Sequence, residues 1–158
     1  MAAPDRISIR PYRATDLDAV ITIYQRAIRE VAIRDYNQDQ VNAWSQVDRT
    51  VWTGRRLSRP TWVAWIGTDA AGFTDLEPDG HLDMMFVHPN FQGRGVAKAL
   101  VHTVLQAARA QGLTRIFTEA SLTARPFFER CGFALIAAQD VETRGQKLRN
   151  FQMEWRDR

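Results

Sequence analysis

The chain has 158 residues, 45% of them hydrophobic and 25% charged, an average globular composition that excludes a disordered or fibrous class. A chain of this length buries roughly 70% of the surface its unfolded form exposes, enough for one core and a single domain spanning residues 1–158. The formal net charge of +3, from 21 basic and 18 acidic residues, includes no basic run interleaved with aromatics, so nucleic acid is not an expected partner.

Cys131 is the single cysteine, which rules out an internal disulfide and a thiolate-built metal site. No metal is expected. The opening residues MAAPDRISIR lack the apolar core of a secretory signal, and no stretch approaches the roughly 18 apolar residues a membrane span needs. A cytoplasmic location without a membrane partner is therefore expected.

In chain order, Ile7 and Ile9, with Pro11, alternate with Ser8 and Arg10 and predict a first strand with one buried face. Thr15 with Asp18 resembles a capping box, and Leu17, Val20, Ile21, Tyr24, Ala27, Ile28 and Val31 continue as a helical stripe. A shorter helical segment is expected from Tyr36 to Trp44, then loop with some helix from Ser45 to Arg59. Thr61 to Ile66 and Ala71 to Leu76 read as paired strands around a turn at Gly67, and Glu77-Pro78-Asp79-Gly80 is a strong turn signature.

The run from Gly80 to Gly112 is the most specific part of the chain. Leu82 to Val87, interrupted only by Asp83, has the length and composition of a buried strand, which His88 and Pro89 end. The turn Gln92-Gly93-Arg94-Gly95-Val96-Ala97 then leads into a helix whose apolar positions Ala97, Leu100, Val101, Val104, Leu105 and Ala108 recur every three or four residues. Strand, glycine turn and helix together aim free backbone N–H groups and a helix dipole at one point, where a phosphate is attracted. An ordinary tight connection would read the same way. The dinucleotide fingerprint fails because Lys98 stands where its third glycine belongs, and the P-loop fails on glycine spacing.

Arg115 to Ala120 predicts a fifth strand, reached by a parallel crossover. Ser121 or Thr123 can cap a short helix with Pro126 in its first turn and Gly132 past its end, and two strands, Phe133 to Val141 and Leu148 to Trp155, follow around Arg144-Gly145.

The pattern Gln-x-x-Gly-x-Ala, formed by Gln92, Gly95 and Ala97 after the strand ending Phe86-Val87, resembles the acetyl-CoA binding motif of the GCN5-related N-acetyltransferase (GNAT) superfamily. The predicted order β-α-α-β-β-β-α-β-α-β-β is the order of that family, and Phe127 to Phe133 resembles its closing helix-to-strand motif. The ending QKLRNFQMEW is similar to that of bacterial acetyltransferases of unassigned substrate. The resemblance spans Ile7 to Trp155. It implies an α/β (α+β) fold in which a mixed central sheet of about seven strands splays between the fourth and fifth, flanked by about four helices. Acetyl-CoA would lie in the V as co-substrate. By the same resemblance the backbone of Met85, Phe86 and Val87 would bind pantetheine, Gln92, Gly93, Arg94, Gly95, Val96 and Ala97 the pyrophosphate, and Phe127 and Arg130 would contact the cofactor from the closing helix.

Acetyl transfer to an amine needs a neutral amine, a stabilised carbonyl oxygen and a tolerated thiolate. His81 and Asp83 lie two apart on the fourth strand and share one face, and His81 falls where histone-modifying members of the family carry a glutamate base. His81 equally suits a solvated strand start. Asp83, in an apolar run, is costly to bury without a partner or a task, and is the preferred base with its proton affinity raised. Glu119 is the further candidate, with a salt bridge as its alternative reading. In the family a backbone N–H at a bulge, here Phe86 or its neighbour, stabilises the oxyanion. The family's tyrosine acid is replaced by Phe128, and a thiol of pKa roughly 8.5 can leave unaided. Cys131 reads as a small buried hydrophobe, with an acid or nucleophile role left open. Tyr36 and Trp44 are expected to line the acceptor side.

The function implied is an acetyl-CoA-dependent N-acetyltransferase that acts by direct transfer to a primary amine of a small molecule. A protein or peptide acceptor, a noncatalytic acyl-CoA binding module, and assembly as a homodimer remain open. The identity of the amine is not readable from the sequence.

Overall fold

The structure is a computed structural model, which describes residues 6–157; residues 1–5 of the N-terminal stretch read above lie outside it. Its elements are β1 (Ile7–Pro11), α1 (Leu17–Glu30), α2 (Gln38–Trp44), α3 (Arg49–Ser58), β2 (Thr61–Ile66), β3 (Asp69–Asp75), β4 (Met85–Val87), α4 (Val96–Ala110), β5 (Arg115–Ser121), α5 (Arg125–Arg130), β6 (Ala134–Thr143) and β7 (Gln146–Arg156). The seven strands form two antiparallel sheets, in the orders β1-β2-β3-β4 and β5-β7-β6. No helix among the described residues is long and apolar enough to cross a membrane.

The expected splay between the fourth and fifth strands is present, in a sharper form than one mixed sheet. The two sheets meet at a parallel bridge between His81 and Phe117, where Leu82 N–H donates to Phe117 O at 2.9 Å and Phe117 N–H donates to Gly80 O at 3.1 Å. Beyond this apex β4 and β5 diverge. Gly80 has φ +96°, and a Cβ there would stand 2.4 Å from the Arg115 carbonyl oxygen, so only glycine lets the sheets touch.

The fourth strand is shorter than its sequence predicts, Met85–Val87 in place of Leu82 to Val87. The reason is Asp75. Its Oδ1 accepts the consecutive N–H groups of Asp83 and Met84, at 2.9 and 2.8 Å, so a side chain takes donors that a regular ladder would use. Asp75 is fully buried and forms an ion pair with Arg56, itself buried, at 3.2 Å. Burial pushes the carboxyl up from its usual range, against the pull of the Arg56 guanidinium and the two N–H donors.

Helices cover both faces. On one, Val20, Ile23 and Ile28 of α1, Val41 of α2 and Trp52 of α3 pack on Val63, Phe73 and Leu148. On the other, Val101 and Val104 of α4 and Phe128 of α5 pack on Ile116, Phe151 and Met153. The stretch expected to be mostly loop holds a full helix, α3, capped by Asp48, whose side chain accepts from Val51 N–H at 3.2 Å. Its buried face is Trp52 and Arg56, four apart, and the arginine hides the stripe. The entry to α1 also differs: the Asp16 carboxylate, in place of a Thr15 cap, takes the Arg13 N–H. Arg144 and Gly145, at φ +45° and +83°, form the tight turn between β6 and β7.

Candidate active site

A cavity of about 780 Å³ occupies the gap between the sheets. Met85, Phe86, Val87, Gln92, Gly93, Gly95, Val96, Ala97, Phe127 and Arg130 line it, so all but one of the residues expected at the cofactor come together. The exception, Arg94, holds its guanidinium over the Phe91 ring, 5.4 Å from the centroid. The opposite wall is made by Ala27 and Ile28 of α1, Val31 just past its end and Trp44 of α2. The cavity thus passes through the gap from the α4/α5 face to the α1/α2 face.

Strand alternation decides which backbone groups look into it. β4 pairs with β3 in the register Phe86↔Phe73, and His88 N–H donates to Ala71 O at 2.8 Å. The backbone groups of Phe86 and His88 are therefore directed at β3, and those of Met85 and Val87 into the gap. Phe86, one of the candidates for the oxyanion N–H, is turned away, and its neighbours are the available donors. Gln92 Nε2 donates to Val87 O at 3.1 Å and ties the turn to the strand.

The turn itself fits a pyrophosphate. Gly95 is the N-cap residue of α4 with φ +83°, Gly93 has φ +75°, and no atom lies within 4 Å of a Cβ built on either. The space a phosphate would fill is open, at the positive end of a 15-residue helix with no acidic residue in its first turn. Lys98 of α4 and Arg130 of α5 add positive charge to the lining, and His102 of α4 lines it beside them. Lys98 and His102 were not among the sequence candidates, although they stand four apart beside the apolar stripe of α4. Gly95→Val is expected to weaken CoA binding at least about tenfold, about 1.4 kcal/mol, because it strains φ and fills the cradle. Calorimetry on a folded variant with unchanged affinity would refute the phosphate assignment.

The candidate bases gather at the apex. His81 lies between two carboxylates, Nδ1 at 3.2 Å from Glu77 and Nε2 at 2.8 Å from Glu119, and its ring stacks on Phe117 at 5.0 Å. The hydrogen bond to Glu119 raises its pKa to about 9, against the cost of burial, so it is an imidazolium at neutral pH. Asp83 does not lie in the apolar surroundings its neighbours suggest, because Arg59 reaches to 3.6 Å of it and also pairs with Glu77. The ligand atoms of His81, Asp83 and Glu119 lie within 4.8 Å of one another, a spacing that suits a cation, and His81 and Arg59 already supply that charge.

The imidazolium has a measurable consequence. Its folded pKa is above the unfolded value of 6.5, so its stabilisation is complete below pH 6.5 and lost as pH rises toward 9. Urea midpoints are expected to fall over that window in the wild type and to flatten there in His81→Gln. An identical slope in both proteins would show that the imidazolium contributes nothing.

Other candidates separate. Tyr36 is buried, its hydroxyl donating to Arg149 O and accepting from Leu122 N–H at 2.9 Å, so it braces β7 and does not line the cavity. It supports Trp44, edge-on at 5.4 Å, which does line it. Phe128 is 2% exposed, packed against Phe127 and Phe133. Cys131 is half-buried on the cavity wall, and burial raises its thiol pKa. Ser121 and Thr123, read only as caps, also line the cavity. Neither caps α5, whose N-cap residue is Ala124 with no side-chain cap bond; Ser121 Oγ instead accepts Ala124 N–H at 3.0 Å in the turn before the helix.

Two splayed sheets, a glycine-cradled helix start and a through-going cleft define an acyl-CoA-dependent transferase. Residues 32–156 match the family model described as the acetyltransferase (GNAT) domain, and the chain belongs to that family. It is an acetyl-CoA-dependent N-acetyltransferase. It is 34% identical to the uncharacterized N-acetyltransferase YafP of Escherichia coli (strain K12), over 96% of this chain and 97% of that one. It is 28% identical to the peptidyl-lysine N-acetyltransferase YjaB of Salmonella typhimurium, over 89% and 92%. Among solved structures, a GCN5-related N-acetyltransferase from Rhodopseudomonas palustris superposes with a TM-score of 0.93 at 28% identity, covering 99% of both chains.

Proposed function

We propose that residues 1–158 act as one cytoplasmic domain that transfers acetyl directly from acetyl-CoA to a primary amine of a small molecule. The observation that carries this is the through-going cavity, with cofactor groups on the α4/α5 side and Trp44 with α1 on the other. Its volume must also hold the pantetheine arm, which leaves room for an amine of modest size.

In this mechanism the thioester oxygen is held by an N–H of Met85 or Val87, where charge develops as the amine attacks. Glu119 takes the ammonium proton. It lies two residues from cavity-lining Ser121 on the same face of β5, about 6.6 Å along the strand, a span one or two waters bridge. The N–C bond then forms, the C–S bond breaks with its electron pair going to sulfur, and the second proton lost from nitrogen passes through water to the leaving thiolate.

Likeness to YjaB supports a peptide-lysine acceptor as the second reading. Free-thiol release from acetyl-CoA, measured against a panel of small primary amines and lysine peptides, separates the two. Turnover confined to peptides would overturn the small-amine assignment.

A further inference from the structure

The face of the β5-β7-β6 sheet turned away from α4 and α5 carries groups the transfer step does not use. Residues opposite one another across strands share a face, so the registers Ser121↔Asn150↔Gln139 and Glu119↔Gln152↔Ala137 make two rows. The three amides of these rows form one chain: Gln152 Nε2 donates to Gln139 Oε1 at 2.6 Å, and Gln139 Nε2 donates to Asn150 Oδ1 at 2.9 Å.

Such a chain has a direction. At one end Asn150 keeps its Nδ2 donors, beside cavity-lining Ser121; at the other Gln152 keeps its Oε1 acceptor, beside Glu119. Ala137, at the end of the second row, is small and exposed, so the amides are open from above. Hydroxyl groups, which both donate and accept, can satisfy both ends. An alkyl chain would leave both ends unpaired.

We infer that this amide chain selects the acceptor, and that the acceptor is a hydroxyl-rich primary amine of the aminopolyol or amino-sugar class. The assignment rests on the acceptor being a small amine that enters from the α1/α2 face.

The test compares glucosamine with hexylamine as acceptors at saturating acetyl-CoA, with rates expressed per neutral amine. In the wild type kcat/KM should favour glucosamine at least about tenfold. Asn150→Leu and, separately, the more peripheral Gln139→Leu should raise KM for glucosamine several-fold while its kcat, CoA affinity and the hexylamine reaction hold. Equal kcat/KM for the two amines, or variants that leave the ratio unaltered, would overturn the specificity assignment alone. Turnover of neither amine would overturn the small-amine function and this inference with it.

Discussion

Asp75→Ala is expected to destabilise the protein by about 3–5 kcal/mol in urea denaturation, the range for breaking a buried ion pair from one side. The Arg56 side chain is 1% exposed, so the substitution leaves a guanidinium with no counter-charge and no water. Two backbone donors, Asp83 and Met84 N–H, lose their acceptor as well. Arg59, 3.8 Å from the same carboxylate, is a second cation and loses part of its counter-charge too. The double variant Arg56→Met/Asp75→Leu separates charge from shape: it should recover much of the lost stability, because an apolar pair suits the site, while CoA affinity stays low because β4 is no longer held. A loss below about 1 kcal/mol in Asp75→Ala would mean that the pair is solvated and does not organise the apex.

Glu119→Gln should lower kcat about a hundredfold at constant pH with CoA affinity unchanged, the lower end of what a positioned base contributes. Glutamine keeps the size and the capacity to hydrogen-bond, and removes the proton acceptor. Asp83→Asn is the comparison, since Asp83 is the base the sequence favours; its kcat should fall less than about tenfold. A Glu119→Gln enzyme with full turnover beside a dead Asp83→Asn would return the base to Asp83.

The readable parts of this chain were those governed by local periodicity. The stripes of α1 and α4 and the glycines at 93 and 95 announce themselves within a few residues, and with them came the order of elements and the cofactor wall. What stayed hidden depends on partners distant in sequence. Arg56 in α3 looks like a polar residue in a loop until Asp75, nineteen positions on, is placed against it, and the same aspartate truncates β4. Tyr36 reads as a candidate pocket residue, and only its bonds to Leu122 and Arg149 turn it into a brace. His81 was legible as a residue near the chemistry, but its charge state was not, because Glu119 arrives from another strand. The amide chain of Gln139, Asn150 and Gln152 carries no motif at all.

The apex at Gly80 and Phe117 bears on how the enzyme responds to its surroundings. With the sheets touching at one bridge, the molecule is built like a sheet short of one strand, and in the proposed site the pantetheine arm would complete it by main-chain pairing. Cofactor binding is then in part the last step of folding. At a concentration of 100 times the Kd it adds about 2.7 kcal/mol to stability, a large share of what a domain of this size possesses. Resistance of the purified enzyme to proteolysis is thereby expected to rise with acetyl-CoA concentration.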